Sequence, residues 1–356
     1  MRCGSPLARR SLALAGAAMA FCVNGIFAGQ TLNIVDSLGR HVAVPRGVRR
    51  IISLEPEISR IIVALGAGER LVGIDYFLRH YDYLFPLIFP AAGRLPVVSN
   101  AGQELHFEAA LGLRPDIVFA SPSEAGMAES IERKLRAPVV SLASLGRMEA
   151  LLAEIGTLGQ LLGREDRARR LMTLAEETLA PLKRRAAALT RQDRPSVYLA
   201  FWGSLERTPI SYEPVDLAGG RNVAAGLVPD YLGAAGAAVS VEKILAWDPE
   251  VILLQGSYLP AERRLTVDGV VRDPRLASVR AVRSGRVYYT FGYWYWWDPA
   301  LVLVESLYLD RLFSAEGVTT GDLAADADRL FREFYGVEGA FTALCRLLSC
   351  HDWATR

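Results

Sequence analysis

Residues 107–123 read FEAALGLRPDIVFASPS, and residues 241–257 read VEKILAWDPEVILLQGS. Aligned on Glu108 and Glu242, Pro115 falls on Pro249, Asp116 on Glu250, and the apolar runs 117–119 and 251–254 coincide. Ser121 and Gly256 follow at the ends of those runs. Each copy reads as a short helix, a turn marked by proline, and a buried strand of β-branched and apolar residues. One unit used twice predicts two similar α/β lobes.

Working outward, RRIISLEPEISRIIVALGAGERLVGI (49–74) supplies the opening of the first lobe. Residues 51–54 read as a buried strand. Pro56 suits the first turn of a helix, where a missing N–H costs nothing. Ile58, Ile61, Ile62 and Leu65 share one helical face, and Gly66 is placed to end it. Residues 71–74 read as the next strand. The second lobe begins with PSVYLAFWGS (195–204), and GRVYYTFGYWYWWDPA (285–300) holds a strand over 286–291. Asp298 is a good N-cap there, and Pro299 opens a helix. Strands alternating with helices predict an α/β class with mainly parallel sheets.

Between the copies, residues 147–192 are rich in Ala, Leu, Glu and Arg, all strong helix formers. Gly163 breaks the run, and 164–189 then reads as one helix of roughly 39 Å at ~1.5 Å per residue. This predicts a first lobe over 29–146, a rigid helical link over 147–192, and a second lobe with a helical tail over 193–356.

The 356 residues leave room for two domains. Apolar residues are 51% and charged residues 22%, which suits packed cores. Forty Lys+Arg against 39 Asp+Glu leave no general basic excess, so a nucleic-acid partner is not expected. MRCGSPLARR is basic, SLALAGAAMAFCV is an apolar run of export-signal length, and Ala28 is a small residue for cleavage. Residues 1–28 are therefore expected to direct export to an extracytoplasmic place. Arg9-Arg10 leaves twin-arginine export open beside the ordinary route, and Cys22 leaves lipidation open. Cys345 and Cys350 are spaced for either a disulfide or two thiols in one helix.

RIISLEPEISRIIVALGAGERLVGI (50–74), LHFEAALGLRPDIVFA (105–120), VEKILAWDPEVILL (241–254) and SVRAVRSGRVYYTFG (278–292), in that order and spacing, resemble one family. It is the periplasmic substrate-binding proteins of metal-chelate ABC importers, which carry ferric siderophores, haem or cobalamin. The tail, LFREFYGVEG (330–339), resembles a branch that includes a molybdate- and tungstate-binding protein. The resemblance implies two lobes joined by a long helix, a ligand in the cleft between them, and delivery to an ABC permease by a monomer that performs no chemistry. It also implies that Glu108 and Glu242, one per lobe, dock against permease arginines. The alternative is that each only favours its helix N-terminus.

Ligands of open α/β sheets bind beyond the carboxyl ends of the strands. The first-lobe candidates there are Glu55, Tyr76, Arg79, His80, Tyr81, Asn100 and Ser121. The second-lobe candidates are Trp202, Ser211, Tyr212, Gln255 and Tyr258. Tyr293, Trp296 and Trp297 add flat faces suited to a chelate, a porphyrin or a corrin; packing into the lobe is the alternative. Arg79 would suit an anionic ligand. The four histidines, His41, His80, His106 and His351, form no ligand-spaced pair, which argues against a directly bound zinc or manganese and against a resident cofactor. A metal chelate or a metal oxyanion is expected instead. No G-x-S-x-G, G-x-x-x-x-G-K-[ST], G-x-G-x-x-G or H-E-x-x-H motif supports an enzyme.

Overall fold

The computed structural model describes residues 31–101, 104–120, 125–142, 147–229, 236–292, 298–313 and 322–349. The export segment with Cys22, and also Ser121, Tyr293, Trp296, Trp297 and Cys350, lie outside these residues; Cys345 is buried.

An antiparallel ribbon of β1 (Thr31–Val35) and β2 (His41–Pro45) precedes the first sheet. Then follow β3 (Ile51–Ser53), α1 (Pro56–Ala64), β4 (Leu71–Ile74), α2 (Tyr76–His80), α3 (Phe85–Ile88), α4 (Phe107–Gly112), β5 (Ile117–Phe119), α5 (Ala125–Leu135) and β6 (Val139–Val140). The linking segment is α6 (Met148–Leu162) and α7 (Glu165–Ala188). The second lobe contains β7 (Ser196–Ala200), β8 (Arg207–Pro209), α8 (Glu213–Leu217), β9 (Arg221–Asn222), β10 (Gly236–Ala238), α9 (Val241–Trp247) and β11 (Val251–Gln255). It continues through α10 (Val267–Val271), α11 (Arg280–Arg283), β12 (Val287–Thr290) and α12 (Pro299–Phe313) to the tail helices α13 (Leu323–Tyr335) and α14 (Ala340–Leu347).

The two main sheets share one topology. The first runs β4-β3-β5-β6 and the second β9-β7-β11-β12, with every pairing parallel. Counted in chain order within each sheet, both are 2-1-3-4. The repeat copies supply α4 with β5 and α9 with β11, so the aligned strands hold equivalent central places. β5 and β11 are buried throughout, because helices cover both faces of a parallel sheet.

Gly163 stands at φ +64° between α6 and α7, a conformation in which glycine carries no Cβ penalty. α7 therefore starts where expected, but it is no bare strut. It packs along α6, α8 and α12, and α6 packs against α1. Apolar residues from α1, α6, α7, α12, α13 and α14 form one continuous core. The hairpin β1–β2 and the ribbon β8–β10 were not foreseen; β8 and β10 are three residues each, too short to show alternation, whereas β2 does alternate between exposed and buried residues.

Candidate functional site

A pocket of about 50 Å³ lies where the chain leaves both sheets. Its first-lobe wall is Arg60 on α1 and residues 81–84 between α2 and α3. Its second-lobe wall is Ser257 after β11, Phe291 and Gly292 after β12, and Asp298, Leu301 and Glu305 at the head of α12. Leu344 and Leu348, on and just after α14, close it. Gly292 stands at φ +63°, and a Cβ there would sit 2.9 Å from Gln255 Cγ, so the backbone must approach bare.

Arg60 and three carboxylates organise the wall. Arg60 Nη2 donates to Asp82 Oδ2, and Nε lies 4.0 Å from Asp298 Oδ2. Asp82 Oδ1 also accepts from the N–H groups of Leu84 and Phe85 at 2.9 Å each, which fixes it at the start of α3. Asp298 caps α12, accepting from Leu301 N at 2.8 Å, and takes a further hydrogen bond from the Tyr335 hydroxyl. Glu305 accepts from Tyr212 Oη at 2.6 Å, Phe291 N at 3.2 Å and Thr290 Oγ1. Burial pushes the carboxyls of Asp298 and Glu305 up, although these donors and, at Asp298, the Arg60 charge oppose it. Arg60 is the single cation among the described lining residues. The lobes also touch at the rim, where Tyr83 Oη donates to Glu262 Oε2 at 3.0 Å.

Among the sequence candidates, Tyr81 lines this pocket and is exposed. Tyr76 stacks near His80 and Tyr81, at 4.2 and 6.1 Å between ring centres. Gln255 is buried, accepts from Trp202 N at 2.8 Å and donates to Ser257 Oγ at 3.0 Å, so it supports the pocket edge. Tyr258, half-buried, stands three residues after the end of β11. Two candidates, Tyr212 and Glu55, are buried, and two, Arg79 and Asn100, are half-buried and hydrogen-bonded within the first lobe. Tyr212 is only 1% exposed, with its hydroxyl committed to Glu305, because the chain from β8 into α8 turns inward. Arg79 Nη1 donates to the Ala92 carbonyl at 2.6 Å, which leaves its other guanidinium donors for a further partner. Asn100 closes a turn with Glu104 through two hydrogen bonds. Glu55 is buried at the start of α1, near Glu57 and Glu154.

Sequence reasoning missed Arg60, Asp82, Tyr83 and Glu305 as site residues, and took Asp298 only as a cap. One signal was available. An arginine amid Ile58, Ile61 and Ile62 is a charge in a helix whose every residue is buried, and such a charge needs partners. Glu108 and Glu242 are both exposed in the first turns of α4 and α9, at matching places in the two lobes. Among the described residues no group of His, Cys, Asp and Glu is arranged to hold a metal ion, and no helix is long and apolar enough to cross a membrane.

Two like-ordered parallel sheets, a packed helical link and a pocket between the two lobes are the architecture of a two-lobed binding protein. The periplasmic binding protein family model matches residues 51–292, and the chain belongs to that family, whose members bind solutes outside the cytoplasm rather than transform them. It is similar to the molybdate-binding protein MolA of Haemophilus influenzae, 23% identical over 85% of this chain and 90% of that protein. It is also similar to the vitamin B12-binding protein of Vibrio parahaemolyticus, 26% identical over 58% of this chain and 70% of the other. The crystal structure of molybdate-bound MolA superposes with a TM-score of 0.72 at 20% identity, covering 86% of this chain and 98% of that one.

Proposed function

We propose that this protein captures a metal chelate, of the iron–siderophore, haem or cobalamin type, and hands it to an ABC permease as a monomer, with Glu108 and Glu242 as the docking carboxylates. The observation that carries the ligand class is the pocket wall. Asp82, Asp298 and Glu305 share this wall with one arginine, which is already bonded to Asp82. A bare tetrahedral oxyanion entering there would find the one guanidinium of the wall already bonded to Asp82, with two further acidic side chains, Asp298 and Glu305, beside it. A chelate presenting hydrogen-bond donors would find carboxylate acceptors, with Tyr81 and Tyr83 beside them. Gly292 and Asp298 line the pocket and bracket the aromatic stretch 293–297 in sequence, which supports Tyr293, Trp296 and Trp297 as further contacts.

A second reading, a molybdate or tungstate receptor, has its own support. The pocket is small, about 50 Å³, and MolA is similar over most of both chains. Tryptophan fluorescence of the purified protein, titrated with haemin, cyanocobalamin, ferric desferrioxamine B, molybdate and tungstate, separates the two. Quenching by a chelate that is lost in Trp296→Ala/Trp297→Ala is the expected result. Binding of the oxyanions alone would replace the chelate reading with the second.

A further inference from the structure

Past residue 292, where the family match ends, the chain still builds the pocket. α12 contributes Asp298, Leu301 and Glu305, and the α14 region contributes Leu344 and Leu348. α13 packs on α12 and on α1, and α14 packs on α3, so the tail touches helices of both lobes. Arg263 holds the tail to the end of β11: its Nη2 donates to the carbonyls of Gly256 and Leu348 while the guanidinium lies 4.4 Å over the Tyr289 ring.

Tyr335, the last residue of α13, stands at the key point. Its ring packs beside Phe331 and Phe334, at 5.9 and 6.2 Å between centres. Its hydroxyl donates to Asp298 Oδ2, the oxygen that lies 4.0 Å from Arg60 Nε, while Leu301 N occupies Oδ1. Without that hydroxyl, Arg60 is the nearest charged donor for Oδ2, and any shift towards it weakens the Arg60–Asp82 bond. The charged and titratable groups around Asp298 are Arg60 on α1, Asp82 before α3 and Tyr335 on α13. Asp75, the cap of α2, acts on the same cluster through Asp82 and Arg60.

We propose that the C-terminal tail is part of the ligand site and that Tyr335 is a positioning residue: by holding Asp298 it fixes how Arg60 is shared between Asp82 and Asp298, and so sets the charge pattern met by the ligand. This rests on the interlobe pocket being where the solute binds.

The test titrates the full chain and its Tyr335→Phe variant by tryptophan fluorescence at pH 5 to 8 with haemin, cyanocobalamin, ferric desferrioxamine B and sodium molybdate. Tyr335→Phe removes only the hydroxyl and is expected to melt within a few degrees of wild type. It should bind the responding probe roughly tenfold more weakly, the loss of a hydrogen bond to a charged group. Its acid limb of binding should move to higher pH, because the lost donor had favoured the Asp298 carboxylate. In an Asp298→Asn background the same substitution should add nothing. A wild type that binds a probe beside a Tyr335→Phe with the same affinity and pH profile, or an equal loss in the Asp298→Asn background, overturns the role of Tyr335 alone. A wild type that responds to no probe removes the reading of the pocket, and this proposal with it. Should Tyr335→Phe not fold, Leu344→Ala carries the question, since it widens the pocket outside the ion network; unchanged affinity would exclude the tail from the site.

Discussion

Asp116 and Glu250 make the same stitch in the two sheets. Asp116 Oδ2 accepts from the N–H groups of Arg49 and Arg50 at 2.8 and 2.9 Å, and its own N–H donates to the Arg50 carbonyl at 2.8 Å. Glu250 Oε2 accepts from Ser196 N at 2.7 Å, and its N–H donates to the Ser196 carbonyl at 2.9 Å. Arg50 and Ser196 stand at the entry to the paired strands β3 and β7, so each carboxylate sets the register of its lobe's two central strands. Glu250→Ala should destabilise by about 1–3 kcal/mol, since it leaves the N–H of buried Ser196 without its acceptor, and Asp116→Ala by less, about 0.5–1.5 kcal/mol, since the exposed Arg49 and Arg50 N–H groups can turn to water. Urea unfolding followed by tryptophan fluorescence measures this, and wild-type midpoints for both would deny the stitch any weight.

Asp75 should make stability depend on pH near neutrality. Burial pushes its carboxyl up to about 7; the Leu78 N–H opposes this and Asp82 adds to it. The folded value lies above the ordinary aspartate value of 3.8, so between the two the folded state holds a proton that the unfolded chain releases. The associated stability is complete below about 3.8 and is lost as pH rises through about 7. Asp75→Asn keeps an acceptor at the cap of α2 and cannot ionise. Melting temperatures from pH 4 to 8 should fall less steeply with pH in the variant than in wild type; parallel curves would mean that Asp75 does not titrate in this range.

Glu154, on α6, reaches Glu57 at the start of α1 in a buried place where Glu55 is a third carboxyl. Burial first, then Glu57, hold its proton on well above the usual carboxylate range. Stability from this group is again lost as pH rises above the ordinary value of 4.5. Glu154→Gln removes the penalty, so its melting temperature should exceed wild type at pH 8 and converge with it towards pH 4.5. A variant less stable at every pH would show that the acid's hydrogen bond to Glu57 outweighs the cost of burying it.

Glu108 and Glu242 are exposed and are not pocket-lining residues, so binding and delivery should separate. Glu108→Arg and Glu242→Arg should leave fluorescence titrations unchanged and cut ligand-stimulated ATPase activity of the reconstituted importer by tenfold or more, on the order expected for reversing a charge pair. Full stimulation by both variants would reduce these residues to helix N-terminal acids.

The repeated unit, the α/β alternation and the break at Gly163 could be read directly, because strand burial, proline at a helix start and glycine at positive φ act over a few neighbouring residues. The same locality located Asp298 as the cap of α12. What reading along the chain could not supply was convergence. Arg60, Asp82, Asp298 and Tyr335 are spread over most of the chain and meet only because α1, α12 and α13 pack together. The direction of a side chain was equally hidden: Tyr212 was a loop tyrosine by pattern, yet its hydroxyl is buried against Glu305, which lies 93 positions further along the chain. Local chemistry therefore determined the elements and the two-lobed plan, while the site depended on long-range packing, which alone decides which charges share a small volume away from water.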